Sequence, residues 1–352
     1  MNTFKNLSKT KQLEYELLQD IASRNLKAHD RFLSEREIVE TYEINQMTVR
    51  QTLGRLVEQG VLYRLNGKGT FVSPPLRNQP LLIVSKFNGE SLATGRYSIV
   101  QFLLGLHTDI ADNNLPFIPI TLSAEEFDAR IQDLKLIYRR IAGVIFFVQP
   151  ESYAQHTQQL DKQDISHLYY GPRESLPDEH CHALVYTQSI ITKTALDGLL
   201  SAGFTRPGIL YASNSLHRVQ RRDAFLEACR QRHIVVPPTA IFDESDTDFA
   251  NKLFTGKRQE ADCFFCVDDN LAMRFMNRLY QTGMRCPEDY GLIGVNNYPF
   301  CENLLCPLTT VAIPYAQDAG RSLAMLASLQ STGQQEIAES SVSLIKRRST
   351  QF

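Results

Sequence analysis

The chain has 352 residues, 43% hydrophobic and 22% charged, an ordinary balance for a globular protein with two or three full cores. Net charge is −2, but residues 1–80 carry 12 Lys/Arg against 9 Asp/Glu and the remainder 25 against 30, so a mildly basic head precedes an acidic body. No apolar run approaches the roughly 20 residues that span a bilayer, the N-terminus lacks an apolar signal core, and seven scattered cysteines form no disulfide framework, so a cytoplasmic protein without a membrane role is expected.

Leu13, Leu17, Leu18 and Ile21 recur at helical spacing and predict a first amphipathic helix over 9–25. Ser34 with Glu37 three residues later is a capping box, which starts a short helix running to Thr41. Asn45 suits the N-cap of a third helix from Gln46 to Glu58, ended by Gly60. Val49, Leu53, Leu56 and Val57 share one face of it, while Gln46, Met47, Thr48, Arg50 and Gln51 crowd its N-terminal end. Val61–Arg64 and Thr70–Val72 alternate like strands about Asn66-Gly67-Lys68-Gly69. Three helices and a hairpin with a basic tip predict a winged helix-turn-helix. Its third helix would turn its N-terminal end to base edges, and Arg64 and Lys68 would reach phosphate or the minor groove. A helical hairpin for protein contact is the competing reading, with Arg36 then a solvated helix charge and Lys68 a plain turn residue.

The segments S-E-R-E, N-Q-M-T-V-R-Q-T-L, L-V-E-Q-G-V-L-Y-R and N-G-K-G-T-F-V resemble the GntR-type winged helix over nearly all of residues 8–73. That resemblance implies a double-stranded operator as partner, with Arg36, Asn45, Gln46, Thr48, Arg50 and Gly67 at DNA-contact positions. Gln46 stands where many relatives have Arg. Arg favours guanine and Gln favours adenine, so a shifted operator base is expected there.

Residues 1–73 are thus read as a DNA-binding domain, 74–80 as a proline-rich semi-rigid linker and 81–350 as a separate body. Candidate strands are Leu81–Ser85, Phe117–Thr121, Gly143–Val148, His167–Tyr170, Ala183–Tyr186, Gly208–Ala212, Ala240–Phe242, Cys263–Val267 and Gly291–Val295. Helical stretches over 97–113, 124–139, 188–202, 218–232, 246–255, 270–282 and 314–330 alternate with them. The fold class expected is multidomain α/β: the winged head, then two α/β lobes with parallel sheets and a ligand cleft at the carboxyl ends of the strands. No glycine-rich phosphate loop appears. Cys263 and Cys266 would point to opposite faces of one strand, and His180, Cys181 and His182 lack further ligands, so no metal, cofactor or catalytic residue is expected.

The segments A-D-C-F-F-C-V-D-D-N-L-A-M, G-M-R-C-P-E-D-Y-G-L-I-G-V-N-N-Y and C-P-L-T-T-V-A-I-P occur in that order, before a basic ending at Ser343–Arg348. Together they resemble the sensor domain of LacI-type repressors, itself similar to periplasmic sugar-binding proteins. The resemblance implies one lobe from about 81–186 and 314–338, and a second from about 187–311 and 342–350. It implies Arg221, Asp268 and Asn296 as polar effector contacts, with Tyr97, Ser98, Phe147 and Tyr315 around the cleft. On residue chemistry alone, Asp268 also suits a helix cap, Arg221 a pair with Asp223, and Asn296 a turn. Many relatives have Asn at 268 and Asp at 296, and an acid where Gly171 stands here. The expected protein is therefore a homodimeric transcription regulator of carbohydrate utilisation with a monosaccharide or polyol effector. A nucleoside or purine effector is the alternative, and an enzyme with a DNA-binding head a weaker one. The linker lacks the hinge helix of LacI-type proteins, so coupling is expected to run through placement of the heads.

Overall fold

A computed structural model describes residues 9–58, 60–73, 79–85, 97–138, 141–147, 150–176, 180–245 and 260–351. Its described residues cluster into two compact units, one drawn from 1–85, 110–145 and 158–166, the other from 86–109, 146–157 and 167–352.

The first unit begins with the head: α1 (Lys9–Ser23), α2 (Glu35–Tyr42), α3 (Gln46–Glu58) and the hairpin β1 (Leu62–Leu65) and β2 (Gly69–Val72). Local chemistry starts α2 and α3. The Ser34 side chain accepts from the Glu37 amide at 3.3 Å, and the Glu37 carboxylate accepts from the Ser34 amide at 2.7 Å, completing the capping box of α2. At α3 the Asn45 side chain accepts from the Thr48 amide at 2.8 Å. Leu13, Leu17, Ile38, Val49, Leu53 and Leu56 are fully buried together, and Leu62 and Val72 of the hairpin close the core beneath them. The hairpin pairs Leu62 with Val72 and Leu65 with Gly69, and Gly67 turns it at φ +73°.

The same unit holds β3 (Gln79–Ser85), β4 (Phe117–Ser123) and α5 (Ala124–Tyr138). β3 runs parallel to β4, and Phe127, Ile131 and Leu134 of α5 are buried. Ile137 at the end of α5 packs against the head's core beside α1. β3 begins at Gln79, two residues before the expected start; residues 74–78 of the expected linker, and the helix expected over 246–255, lie outside the described residues.

The second unit carries most of α4 (Tyr97–Asp112), the end of β5 (Gly143–Phe147), the start of α6 (Pro150–Lys162), and the parallel strands β6 (His167–Pro172), β7 (Ala183–Tyr186) and β13 (Ile337–Glu339). It also holds the six-stranded sheet of the second lobe, in the order β14-β12-β11-β10-β8-β9. These strands are β8 (Pro207–Tyr211), β9 (Ile241–Asp243), β10 (Cys263–Cys266), β11 (Gly291–Val295), β12 (Thr309–Ala312) and β14 (Ser343–Ile345). All pairings are parallel except β14 on β12. Helices α7 (Gln188–Ser201), α8 (Leu216–Gln231), α9 (Asp269–Gln281) and α10 (Tyr315–Thr332) complete the unit. The α4–α10 approach depends on Gly105, where a Cβ would lie 2.3 Å from the Ala316 carbonyl oxygen.

The body is therefore the two-lobed α/β arrangement with parallel sheets that the strand–helix alternation implies. α6, β12, β13 and β14 were not among the expected elements. α6 is polar in sequence, with Tyr153, His156 and Leu160 buried among its described side chains, so it carries no continuous apolar stripe to read. Cys263 and Cys266 are buried in β10. His182 is held structurally: its Nδ1 accepts from the Glu336 amide and its Nε2 lies 3.1 Å from the Met325 carbonyl, while burial pushes its pKa down.

Removing the cap with Ser34→Ala is expected to cost about 1 kcal/mol of local stability. In the full-length chain the α2 amides should then exchange hydrogen several-fold faster; unchanged protection would show that the capping box is dispensable.

Candidate functional site

In the head, Gln46, Met47 and Arg50 are exposed along the first turns of α3, with Met47 80% exposed, and Thr48 is half-buried behind them. Asn45 is engaged in the helix cap. Arg50 of α3 and Arg64 of β1 meet on one carboxylate: Glu35 accepts from Arg50 at 2.8 Å and from Arg64 at 3.3 Å. Recognition helix and wing are joined there through an acid that sequence reading passed over. Arg36 instead pairs within its own helix, with Glu40 at 2.9 Å. Gly67 and Lys68 sit at the exposed hairpin tip. An exposed helix N-terminus beside a basic wing suits a duplex groove and its phosphates.

The body residues implied for the effector all fall in the second unit. Arg221, buried on α8, donates from Nε to the Gln188 side-chain oxygen at 2.7 Å and from Nη1 to the Val267 carbonyl at 2.6 Å. It does not pair with Asp223, which holds Arg222. Asp268 does cap α9, accepting from the Leu271 amide at 2.9 Å, and it also pairs with Arg218 at 2.8 Å. Asn296 lies at φ +107°, a conformation tolerated by Asn better than by most residues. Its amide nitrogen donates to the Tyr298 phenol at 3.1 Å, and its oxygen accepts from the Tyr315 phenol at 3.0 Å.

Aromatic rings enclose these groups. Phe147 packs on Phe102, Tyr170 and Tyr315 at centroid separations of 5.7, 5.1 and 6.2 Å. Tyr97 lies 5.1 Å from the Tyr298 ring, and Ser98 hydrogen-bonds the Tyr298 phenol. Burial pushes the Tyr298 and Tyr315 phenols up and the Tyr186 phenol up to about 12, although the Arg221 charge opposes the shift in all three. Tyr97, Ser98, Phe147, Asn296 and Tyr315 are thus linked through rings and hydrogen bonds, with Arg221 and Asp268 bearing on the same tyrosines. Gly171 has no room for a side chain, because a Cβ would stand 2.4 Å from the Tyr169 hydroxyl.

Four further polar residues join this cluster, and sequence reading missed them all. Gln188 heads α7 with its amide nitrogen buried and, like the hydroxyl of neighbouring Thr187, without a hydrogen-bond partner among the described residues. Arg218, one turn before Arg221, was legible only as a surface charge. Asp269 is fully buried: it accepts from the Thr310 hydroxyl at 2.7 Å and the Tyr298 amide at 2.9 Å. Burial pushes its pKa up to about 7, against those hydrogen bonds. On the other side, Asp318 accepts from Tyr170 at 2.9 Å and from Ser340 at 2.6 Å, and burial raises its pKa. Directed donors and acceptors inside an aromatic wall can hold a small polar molecule. No nucleophile is paired with a base among the described residues of this cleft.

Comparisons with known proteins match two separate stretches of the chain. Residues 9–72 match the model for bacterial regulatory proteins of the gntR family, and residues 196–350 match the periplasmic binding protein-like domain. The arabinose metabolism transcriptional repressor of Geobacillus stearothermophilus is 23% identical over 341 residues, covering 92% of this chain and 91% of that protein. A transcriptional regulator CelR–cellobiose complex superposes with a TM-score of 0.63 at 17% identity, covering 95% of this chain and 98% of that one. A LacI family transcriptional regulator from Enterococcus faecium with bound ribose gives 0.62 at 20% identity, covering 78% and 99%. The chain thus joins a gntR-like winged-helix head to a periplasmic binding protein-like body, and the arabinose relative is named as a transcriptional repressor. No described helix is long and apolar enough to cross a membrane.

Asp269 yields a pH test. Its folded pKa of about 7 exceeds the ordinary 3.8, so the folded protein holds that proton more tightly than the unfolded chain. Stability from this proton is complete below 3.8 and is lost as pH rises through about 7. Urea titrations should show stability falling with pH more steeply in the parent chain than in Asp269→Asn, by at most about 1.4 kcal/mol per pH unit. Equal slopes would remove the assignment.

Proposed function

We propose that this chain, a GntR-type head on a periplasmic binding protein-like body, is a cytoplasmic, ligand-responsive repressor of carbohydrate-utilisation genes. A monosaccharide or related polyol binds in the cleft of the body, and the head reads a double-stranded operator. The observation that carries the reading is the cleft: Arg221, Asp268 and Asn296 converge within an aromatic wall, where the buried Gln188 amide and Thr187 hydroxyl are unmatched among the described residues. Vicinal hydroxyls supply the acceptors and donors such groups need, and a ring packs on a sugar's apolar face. The names of the similar proteins support the same class: an arabinose repressor, a cellobiose complex and a ribose complex.

The protein acts as a homodimer, whose two-fold symmetry matches a palindromic operator. Ligand shifts the head arrangement only by its differential affinity for the two states. Packing of Ile137 against the head's core offers a route from the first lobe to the reader that needs no separate hinge helix. A second reading, a nucleoside or purine effector, draws on the cluster of Phe102, Phe147 and Tyr170, whose rings lie tilted or edge-on to one another within 5.0–5.7 Å.

A thermal-shift screen of monosaccharides and polyols against nucleosides tests the effector class, with stabilisation by sugars alone expected. For the sugar found, Arg221→Ala should weaken binding by calorimetry about 10- to 100-fold; undiminished affinity would displace the site. Operators selected from random DNA should carry adenine opposite Gln46, and Gln46→Arg should move the preference to guanine. A guanine already preferred by the parent chain and insensitive to Gln46→Ala would refute this base reading.

A further inference from the structure

A pocket of about 180 Å³ opens in the second lobe and is lined by Met276, Met284, Cys286, Tyr290, Cys306 and Arg348, among others. Cys286 lies just before β11 and Cys306 just before β12, at the amino ends of neighbouring parallel strands and away from the carboxyl ends where the effector residues gather. The two thiols share this lining, and the Cys286 thiol donates to the Ser349 carbonyl at 3.6 Å. The Tyr290 hydroxyl in the same lining is buried without a hydrogen-bond partner among the described residues.

We propose that Cys286 and Cys306 form a reversible modification site, at which a hydroperoxide converts the thiol pair into an intramolecular disulfide. Cys306 is the attacking group. The neighbouring Cys286 thiol and the Arg348 charge in the same lining favour its thiolate and hold its pKa below the usual thiol range, whereas Cys286 is pushed up. Burial raises the thiols of Cys229, Cys263, Cys266 and Cys301, which leaves them poor nucleophiles.

The Cys306 sulfur attacks one peroxide oxygen and the O–O bond breaks. The departing oxygen leaves as water or alcohol after taking the proton that Cys306 lost, and Cys306 becomes a sulfenic acid. The Cys286 sulfur then attacks the Cys306 sulfur. An S–S bond forms, the S–O bond breaks, and hydroxide leaves as water with the Cys286 proton. Two thiols lose two electrons in all, and the peroxide gains them. The disulfide would close a loop between the ends of β11 and β12.

The test is peptide mapping by mass spectrometry of the full-length protein after hydrogen peroxide, with free thiols alkylated. A 286–306 cross-linked peptide, lighter by two hydrogens and reversed by dithiothreitol, is expected. Alkylatable Cys306 should disappear at least about tenfold faster than alkylatable Cys229. In Cys286→Ser, oxidation should stop at a Cys306 sulfenic acid that dimedone traps. Cys306 reaching sulfinic acid in the parent chain without a cross-link, or both thiols surviving peroxide, would overturn the proposal. Should Cys286→Ser fail to fold, the parent-chain map decides alone.

Discussion

The carboxylate of Asp269 is the constraint on which the geometry of the second lobe's candidate site depends. It begins α9, takes the Thr310 hydroxyl of β12 and the Tyr298 amide, and lies where a Cβ on Gly294 would stand 2.2 Å from its oxygen. One buried acid thereby joins the head of a helix, two adjacent strands and the loop between them. Asp268 is placed by the cap next door, and Asn296 and Tyr298 by the loop that Asp269 holds. A buried acid is costly unless its lone pairs are met, so these partners must stay in place for the lobe to keep its shape.

A second buried acid organises the opposite wall. Asp318 on α10 receives Tyr170 and Ser340, and that fixes the helix whose first residue, Tyr315, reaches Asn296. The proposed contacts are therefore not a row of waiting donors. Asn296 is hydrogen-bonded at both ends of its amide, Arg221 through two of its nitrogens, and Asp268 by Arg218. An incoming molecule exchanges such bonds for its own, so the gain comes from groups that begin unmatched, Gln188 and Thr187, and from ring burial.

The head was legible because its determinants are local. Ser34 with Glu37, Asn45 before α3 and Gly67 in the hairpin each act within four residues, and each has the role read from its type and spacing. The body's strand–helix order was legible for the same reason, except where an element lacks an apolar pattern of its own, as α6 and the short β13 and β14 do. The site was not readable from spacing. Arg221, Asp268 and Asn296 came from resemblance, while Gln188, Arg218, Asp269 and Asp318 acquire meaning only when segments far apart in sequence meet. Asp268 shows the overlap of roles, since capping and pairing with Arg218 occur together.

Glu35 bears on how tightly the proposed reader would hold duplex. With Arg50 and Arg64 folded onto one carboxylate, the head's modest positive excess is partly cancelled at the surface proposed to face phosphate. Under that proposal any duplex, operator or random, must loosen those pairs before it gains the two cations, so the cost falls equally on both. The acid would then lower absolute affinity and soften its salt dependence, leaving the choice of sequence to contacts with base edges.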